Sequence, residues 1–178
     1  CGNMPNILVY SPLGRAGKST LAYNFFDYSI RGGGKYRYYT NDIINTSFDI
    51  KKLIPDKLTI IEPSEEIEVD DDELSIFDFG GYLDSRVVEV SEYVDKVALV
   101  VMYQSKAELK LIVLAVNSIK KYNENICVIL NNTETNMIQE ALETLDVALP
   151  DIPIFTINRS KYMHRLANFN QSVYDVAE

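Results

Sequence analysis

Runs of residues that are apolar at nearly every position alternate along this chain with segments of helical periodicity. Residues 6–11, 96–102 and 126–131 are three such runs, and each is followed by a helix-like segment. A strand that is apolar throughout is buried on both faces, which is typical of a parallel sheet covered by helices. The sequence therefore predicts an α/β protein with a mostly parallel central sheet and helices on both faces.

The complete pattern predicts strands at residues 6–11, 36–40, 58–61, 74–79, 96–102, 126–131 and 152–157. It predicts helices at 18–30, 85–93, 106–121, 135–145 and from about Lys161, with a weaker helical pattern near the end of 41–53. We expect strands 58–61 and 74–79 to form a hairpin-like pair. The length of 178 residues, without repeats or linkers, predicts one domain over residues 1–178.

The net charge is concentrated in one segment of the chain. There are 17 Lys and Arg residues against 26 Asp and Glu, a formal charge of −9, and seven of the acids lie within residues 65–73. The rest of the chain is nearly neutral and has no Lys/Arg block, so nothing predicts direct, unassisted binding to nucleic acid. The acidic run is either a solvated loop or a docking surface for a basic partner.

Composition also narrows the class of protein. The chain is 47% apolar and 24% charged, which excludes disorder of the whole. No apolar run approaches the roughly 20 residues of a membrane-spanning helix, and no signal peptide is recognisable, so we expect a cytoplasmic protein. We expect residues 1–3 to be an expression remnant before Met4, Cys127 to be a small core residue, and His164 to be a surface residue.

The segment SPLGRAGKST, residues 11–20, lies between the first predicted strand and the first predicted helix. A loop at such a junction directs backbone N–H groups and the positive end of a helix dipole at one point, which favours phosphate. Gly17 permits close approach of the backbone, Lys18 can neutralise the β and γ phosphates, and the Ser19 hydroxyl can coordinate Mg²⁺. The alternative is a glycine turn before a helix that Ser19 or Thr20 caps. The predicted nucleotide-binding residues of the loop are Gly14, Arg15, Ala16, Gly17, Lys18, Ser19 and Thr20.

Two carboxylates lie at or just after the ends of predicted strands and are candidates for chemistry. Asp42 comes just after strand 36–40, where it can orient water towards a γ-phosphate or hold a Mg²⁺-bound water; alternatively it is a turn or N-cap residue. Asp78 ends a buried strand, where it can hold Mg²⁺ through water; alternatively it belongs to a strand-ending turn. Arg15 either acts on a nucleotide, in its own or a partner subunit, or faces solvent.

The loop resembles the deviant Walker A motif, K-G-G-x-G-K-[ST], of the ParA/MinD family of partitioning ATPases. Leu13 occupies the position of the family's signature lysine, which reaches the nucleotide of the partner subunit in an ATP sandwich dimer, and Arg15 replaces a glycine. The matching residues are Gly14, Gly17, Lys18 and Ser19. The resemblance implies a P-loop NTPase fold, and we expect this chain to be short for the family.

The resemblance assigns further roles along the chain. Asp42 matches the second aspartate of the family's D-x-D, which positions the attacking water, and Asp78 matches the Walker B aspartate. The segment ILNN, residues 129–132, resembles the one whose asparagine contacts adenine, so Asn131 is the candidate for base recognition and otherwise a turn asparagine. Pro153 matches a late I-P turn near the adenine.

The resemblance implies an ATPase switch that binds Mg²⁺ and ATP, hydrolyses ATP slowly and forms a homodimer with ATP bound. Its expected role is partition of plasmid or chromosomal DNA, or intracellular positioning, with an adaptor or centromere-binding protein as partner. Two alternatives remain: a GTPase, since residues 131–134 (NNTE) distantly mimic N-K-x-D, and a non-catalytic nucleotide-binding scaffold.

Outside these motifs, the second predicted strand carries three tyrosines with basic neighbours. They either stack on bases or pack in the core: Tyr36, Tyr38 and Tyr39.

Overall fold

A computed structural model describes residues 5–13, 16–41, 54–81 and 85–158, without the side chains of Asn132 and Asn158. The strands in these ranges are β1 (Ile7–Ser11), β2 (Tyr36–Thr40), β3 (Leu58–Ile60), β4 (Leu74–Gly80), β5 (Lys96–Val101), β6 (Ile126–Thr133) and β7 (Ile154–Asn158). The helices are α1 (Lys18–Arg31), α2 (Ser85–Tyr93), α3 (Leu109–Lys120) and α4 (Thr135–Ala148).

The strands of the described ranges form one seven-stranded sheet in the order β3-β2-β4-β1-β5-β6-β7. Each recorded pairing between neighbouring strands is parallel, which confirms the fold class predicted from the uniformly apolar runs. The sheet therefore has one edge formed by the carboxyl ends of the strands and an opposite edge formed by their amino ends. The loop that follows β1 lies at the carboxyl edge.

The prediction of a hairpin between β3 and β4 is wrong. β3 pairs in parallel with β2, and β4 lies between β2 and β1. The burial of each strand explains the arrangement: the five central residues of β4 are buried, whereas the three residues of β3 are half-buried at the sheet's edge. The acidic segment between them returns the chain to the amino edge, so that both strands run in the same direction.

The connecting segment, residues 61–73, contains the acidic run. Ile67 and Val69 pack against the hydrophobic core, while most of the carboxylates of the acidic run are exposed to solvent. Glu73 is the exception, since the Lys57 ammonium lies 2.8 Å from its Oε1. The run is therefore a solvated connection that contributes two apolar side chains to the core.

The core is divided by the sheet into two layers. Helices α2, α3 and α4 cover one face with residues such as Val87, Ile112 and Leu145, and α1 packs on the other face. Alternation of side chains along the strands places Leu8 in the first layer and Val9 in the second. The prediction that helices cover both faces of the sheet is thus confirmed.

Some predicted boundaries shift, and some predictions fall outside the described residues. A short 3-10 helix, Lys106–Glu108, precedes α3 where one helix was predicted, and α4 continues three residues beyond the predicted end. Three predictions lie outside the described residues: the helix near Lys161, the weak helical pattern before residue 54, and the surface position of His164.

Within the described ranges, no helix combines the length and apolar character needed to span a membrane.

We predict that Phe77→Ala lowers the free energy of unfolding by about 3–5 kcal/mol, because it empties a fully buried position. The Phe77 ring stacks on Tyr39 at 4.8 Å between centroids and meets Phe79 edge-on at 5.7 Å. Denaturant unfolding measures the loss. The matched control is Phe155→Ala, at a side chain that is 57% exposed, where we expect less than about 1 kcal/mol; equal losses would contradict this account of the core.

Candidate functional site

The loop between β1 and α1 has the geometry of an anion site. Helix α1 begins at Lys18, and its N-cap residue is Gly17, which adopts left-handed backbone angles (φ 77°, ψ 21°). Because glycine has no side chain, the N-cap residue offers no hydrogen-bond acceptor to the N–H groups of the first helical turn. These N–H groups and the positive end of the helix dipole therefore suit a bound anion.

A buried ion pair joins this loop to the end of β4. The Lys18 ammonium donates a hydrogen bond to Oδ1 of Asp78, and the two residues are only 7% and 1% exposed. Asp78 is the register partner of Val9 in β1, so β4 presents its carboxylate beside the strand that leads into the loop. The structure thus brings together two residues that sequence reasoning had picked from separate motifs.

Tyr38 is the second partner of Asp78, and sequence reasoning missed this role. Its hydroxyl donates a hydrogen bond to Oδ2 of Asp78. The packing alternative for the tyrosines is confirmed, since Tyr36, Tyr38 and Tyr39 are all at most 1% exposed. The available signal was chemical: a buried tyrosine hydroxyl needs a partner, and aromatic side chains reach diagonal neighbours on an adjacent strand.

Asn41 binds the backbone of Gly80, two residues after Asp78. Its amide nitrogen donates to the Gly80 carbonyl at 3.2 Å, and its Oδ1 accepts from the Gly80 N–H at 3.0 Å. The Tyr10 hydroxyl donates to the Gly81 carbonyl at 2.6 Å, and Gly81 has a left-handed φ of 94°. The ends of β1, β2 and β4 are therefore tied together. Sequence reasoning missed Asn41 because its partner is known only when β2 and β4 are neighbours.

Asn131, the candidate for base recognition, binds the loop in this structure. Its side chain is buried, and its Nδ2 donates to the Ala16 carbonyl at 2.7 Å. The contact is so close that a Cβ atom at Gly17 would collide with the Asn131 amide. The amide group has a second N–H and an acceptor oxygen, so contact with the loop is compatible with a further contact to a base. The base contact stays a prediction.

Leu13, at the position of the family's signature lysine, packs inward. Its side chain is half-buried against the core layer that α2, α3 and α4 cover, and the Ser11 hydroxyl donates to its carbonyl. An apolar side chain anchored in its own subunit cannot supply the charge of the family's lysine to a neighbour. The other predicted residues Gly14, Arg15 and Asp42 lie outside the described residues.

The prediction that Pro153 lies in a turn near the adenine is wrong. Pro153 precedes β7 and its carbonyl accepts from Val128 N at 2.9 Å, which places it at the amino edge of the sheet. The loop between β1 and α1 lies at the opposite, carboxyl edge, and β7 itself, a strand of five residues, is about 16 Å long. Pro153 lines a separate cavity of about 430 Å³ together with Leu142, Glu143, Asp146, Ile152 and Ile154.

The donor set at the carboxyl edge fits a magnesium–nucleotide complex better than a metal held by protein alone. Ser19 and Thr20, in the first turn of α1, are buried beside Lys18. In the described part of the chain, no group of three or more His, Cys, Asp or Glu residues could hold a metal ion. Mg²⁺ commonly uses one or two protein oxygens together with phosphate oxygens and water. Ser19 and Asp78 are the residues that would provide the protein oxygens for such a site.

Comparison with known proteins identifies the fold. No family model matches the chain, and no curated protein matches it significantly. Among solved structures, a ParA family ATPase from Chlorobium tepidum TLS matches 96% of this chain and 92% of its own at TM-score 0.64 and 20% identity. The chain has the fold of the ParA and MinD ATPases.

Two further matches support the same fold. MinD in the MinC:MinD cell division complex of Aquifex aeolicus gives a TM-score of 0.63 at 14% identity, covering 97% of this chain and 88% of its own. The ATP complex of a single-residue variant of Cyanothece McdA gives 0.65 at 12% identity, covering 98% and 91%. The resemblance read from the loop is confirmed for the fold. The expectation of a shortened chain is wrong for these three ParA/MinD-fold structures, because most of each is covered.

We predict that Gly17→Ala destabilises the protein more than Gly33→Ala does. Both glycines have left-handed φ values, 77° and 87°, so alanine costs about 1–2 kcal/mol at either position. Only at Gly17 would the added Cβ meet another group, Asn131, which adds about 1–3 kcal/mol. Denaturant unfolding measures both variants, and Asn131→Ala should relieve the excess at Gly17. Equal losses at the two glycines would show that the contact with Asn131 does not constrain the loop.

Proposed function

We propose that this protein is a P-loop ATPase that binds Mg²⁺-ATP at the carboxyl edge of the sheet and hydrolyses it slowly. The observation that carries the proposal is the buried pair between Lys18, at the start of α1, and Asp78, at the end of β4. A phosphate-binding lysine and a metal-supporting carboxylate need to lie within one site, and these two residues touch. The ATP-bound McdA structure, which has the same fold, supports ATP as the nucleotide.

The binding step exchanges one partner of Lys18 for another. In the structure the ammonium neutralises Asp78. With ATP bound it would turn to the β and γ phosphates, where the first-turn N–H groups of α1 would also donate. Ser19 and Asp78 are the residues that would hold Mg²⁺. Bound Mg²⁺ supplies positive charge to the phosphate oxygens. Catalysis then consists of positioning and electrostatic stabilisation, without a covalent intermediate.

The other residues predicted from the sequence complete the proposed site. Asp42 orients the attacking water and Arg15 adds positive charge at the phosphates, while Gly14 and Ala16 belong to the phosphate loop. Asn131 holds the loop through Nδ2 and accepts a hydrogen bond from the adenine amino group through Oδ1. Guanine carries an acceptor oxygen where adenine carries that amino group, so this orientation favours ATP over GTP.

A GTPase is the alternative, and preference for GTP in a competition assay would establish it.

We predict that Lys18→Ala lowers ATP turnover by at least about 100-fold, because it removes the cation that stabilises charge on the phosphates. Phosphate release with Mg²⁺-ATP measures the effect. Lys57→Ala is the control: Lys57 pairs with Glu73 on the surface, 42% of its side chain is exposed, and its removal should leave turnover unchanged. Turnover of Lys18→Ala at the wild-type rate would exclude this site as the catalytic one.

A double variant separates loss of chemistry from loss of folding. Lys18→Ala alone leaves the buried Asp78 carboxylate without its cation, which we expect to cost about 3–5 kcal/mol of stability. Lys18→Ala combined with Asp78→Asn removes both charges and should recover part of that loss while remaining inactive. Recovery of activity together with stability would mean that Lys18 acts only on folding.

We propose further that ATP switches the assembly state of the protein. The chain, as one nucleotide-binding domain over residues 1–178, forms a homodimer with ATP bound and engages an adaptor or centromere-binding protein in the cytoplasm. The role is partition of plasmid or chromosomal DNA, or intracellular positioning. Support comes from the shared fold and from the MinD relative, which was solved in complex with MinC. The near-neutral composition outside the acidic run gives no support for direct DNA binding.

We predict that sedimentation analysis finds a monomer without nucleotide or with ADP, and a dimer with Mg²⁺ and a non-hydrolysable ATP analogue. The γ-phosphate is the part of the ligand that a second subunit can recognise. A monomer at saturating analogue would contradict the switch and leave the ATPase proposal intact.

A non-catalytic nucleotide-binding scaffold is the second candidate function. The observation that favours it is Leu13, which packs into its own core where the family carries a lysine that reaches the partner's nucleotide. Binding of Mg²⁺-ATP without phosphate release would establish the scaffold and reject the ATPase.

A further inference from the structure

We infer that Tyr38 is the positioning residue of the Asp78 carboxylate, and that it keeps this carboxylate oriented towards Mg²⁺ once Lys18 has moved to the phosphates. The inference rests on the proposed function. Asp78 accepts two hydrogen bonds: Lys18 donates to Oδ1 and the Tyr38 hydroxyl donates to Oδ2. In the proposed binding step, Lys18 leaves Asp78 for the phosphates, whereas Tyr38 keeps its hydrogen bond to Asp78.

Asp78 cannot lose its partners without cost. The residue is 1% exposed, and a buried carboxylate without hydrogen bonds is strongly unfavourable. In the proposed binding step the flexible stem of Lys18 carries the ammonium towards the phosphates. The Oδ1 atom would then be available to support Mg²⁺. The orientation of the carboxylate at that moment depends on what holds Oδ2.

Tyr38 is held too firmly to move with Lys18. Its side chain is fully buried in the layer under α1, and the Phe26 ring of α1 meets it edge-on at 5.9 Å and 79°. The Tyr38 backbone N–H donates to the Lys57 carbonyl at 2.8 Å, and Tyr38 is the register partner of Ile76, two residues before Asp78 on the same face. The hydroxyl is therefore fixed beside Oδ2 whether or not nucleotide is present.

The chain offers a closely matched control at Tyr36. Tyr36 lies on the same strand and the same sheet face, is fully buried, and meets the Phe25 ring of α1 edge-on at 6.1 Å. Its hydroxyl donates to the Pro5 carbonyl, at the amino side of the sheet. Burial, with Asp95 nearby, raises the pKa of Tyr36 to about 12, so this hydroxyl stays protonated. Removing either hydroxyl deletes one oxygen from a buried tyrosine, and only Tyr38 bonds to Asp78.

The test compares Tyr38→Phe and Tyr36→Phe by titration with a fluorescent ATP analogue, with Mg²⁺ varied or chelated. For Tyr38→Phe we expect the Mg²⁺ concentration at half-maximal binding to rise by about tenfold, the effect of losing a hydrogen bond to a charged group. Binding with Mg²⁺ chelated should stay at the wild-type level, which also shows that the site is folded. Tyr36→Phe should match the wild type in both titrations.

A double-mutant cycle distinguishes positioning from general packing. In an Asp78→Asn background, Tyr38→Phe should not change the Mg²⁺ requirement further, because the group that it positions is altered. An unchanged Mg²⁺ requirement in Tyr38→Phe, with normal binding by the wild type, would overturn the inference and leave the proposed function standing. Absence of Mg²⁺-dependent nucleotide binding by the wild type would reject the proposed function and the inference together.

Discussion

The buried ion pair between Lys18 and Asp78 is the contact on which the rest of this site depends. Two opposite charges at 7% and 1% exposure are costly to desolvate and are tolerated only with good geometry and additional hydrogen bonds. The fold supplies both. Parallel pairing of β1 with β4 brings Asp78 beside the strand that leads into the loop, and Tyr38 from β2 donates to its second oxygen. The pair therefore links helix, loop and three neighbouring strands.

Much of the fold and part of the site could be predicted because the relevant signals are local. Uniformly apolar runs such as residues 97–101 indicate strands buried on both faces, and the sheet is indeed parallel. The glycine and lysine at residues 17 and 18 stand at a strand-to-helix junction, which the structure reproduces. Asp78 could be predicted as a site residue because a charged side chain at the end of an apolar strand is unfavourable to bury without a functional partner. Each of these inferences needs only a few neighbouring residues.

The rest depends on which strands are neighbours, and one sequence does not reveal that order. The roles of Tyr38 and Asn41 follow from the position of β2 next to β4, although β3 comes between them in the chain. The hairpin prediction failed for the same reason. Pro153 was misplaced because the match to the family's late turn was followed, although the predicted strand 152–157 already put Pro153 at the amino end of that strand. Leu13 packs inward because the adjacent core offers an apolar contact.

The most direct test of the central claim is a crystal structure with Mg²⁺ and a non-hydrolysable ATP analogue. We expect the Lys18 ammonium to lie within hydrogen-bond distance of the β and γ phosphate oxygens, and the Tyr38 hydroxyl still to donate to Asp78. We also expect Mg²⁺ between Ser19 and a water held by Asp78. A nucleotide bound elsewhere, with the Lys18–Asp78 pair unchanged, would contradict the claim that this buried pair is the resting form of an ATP site.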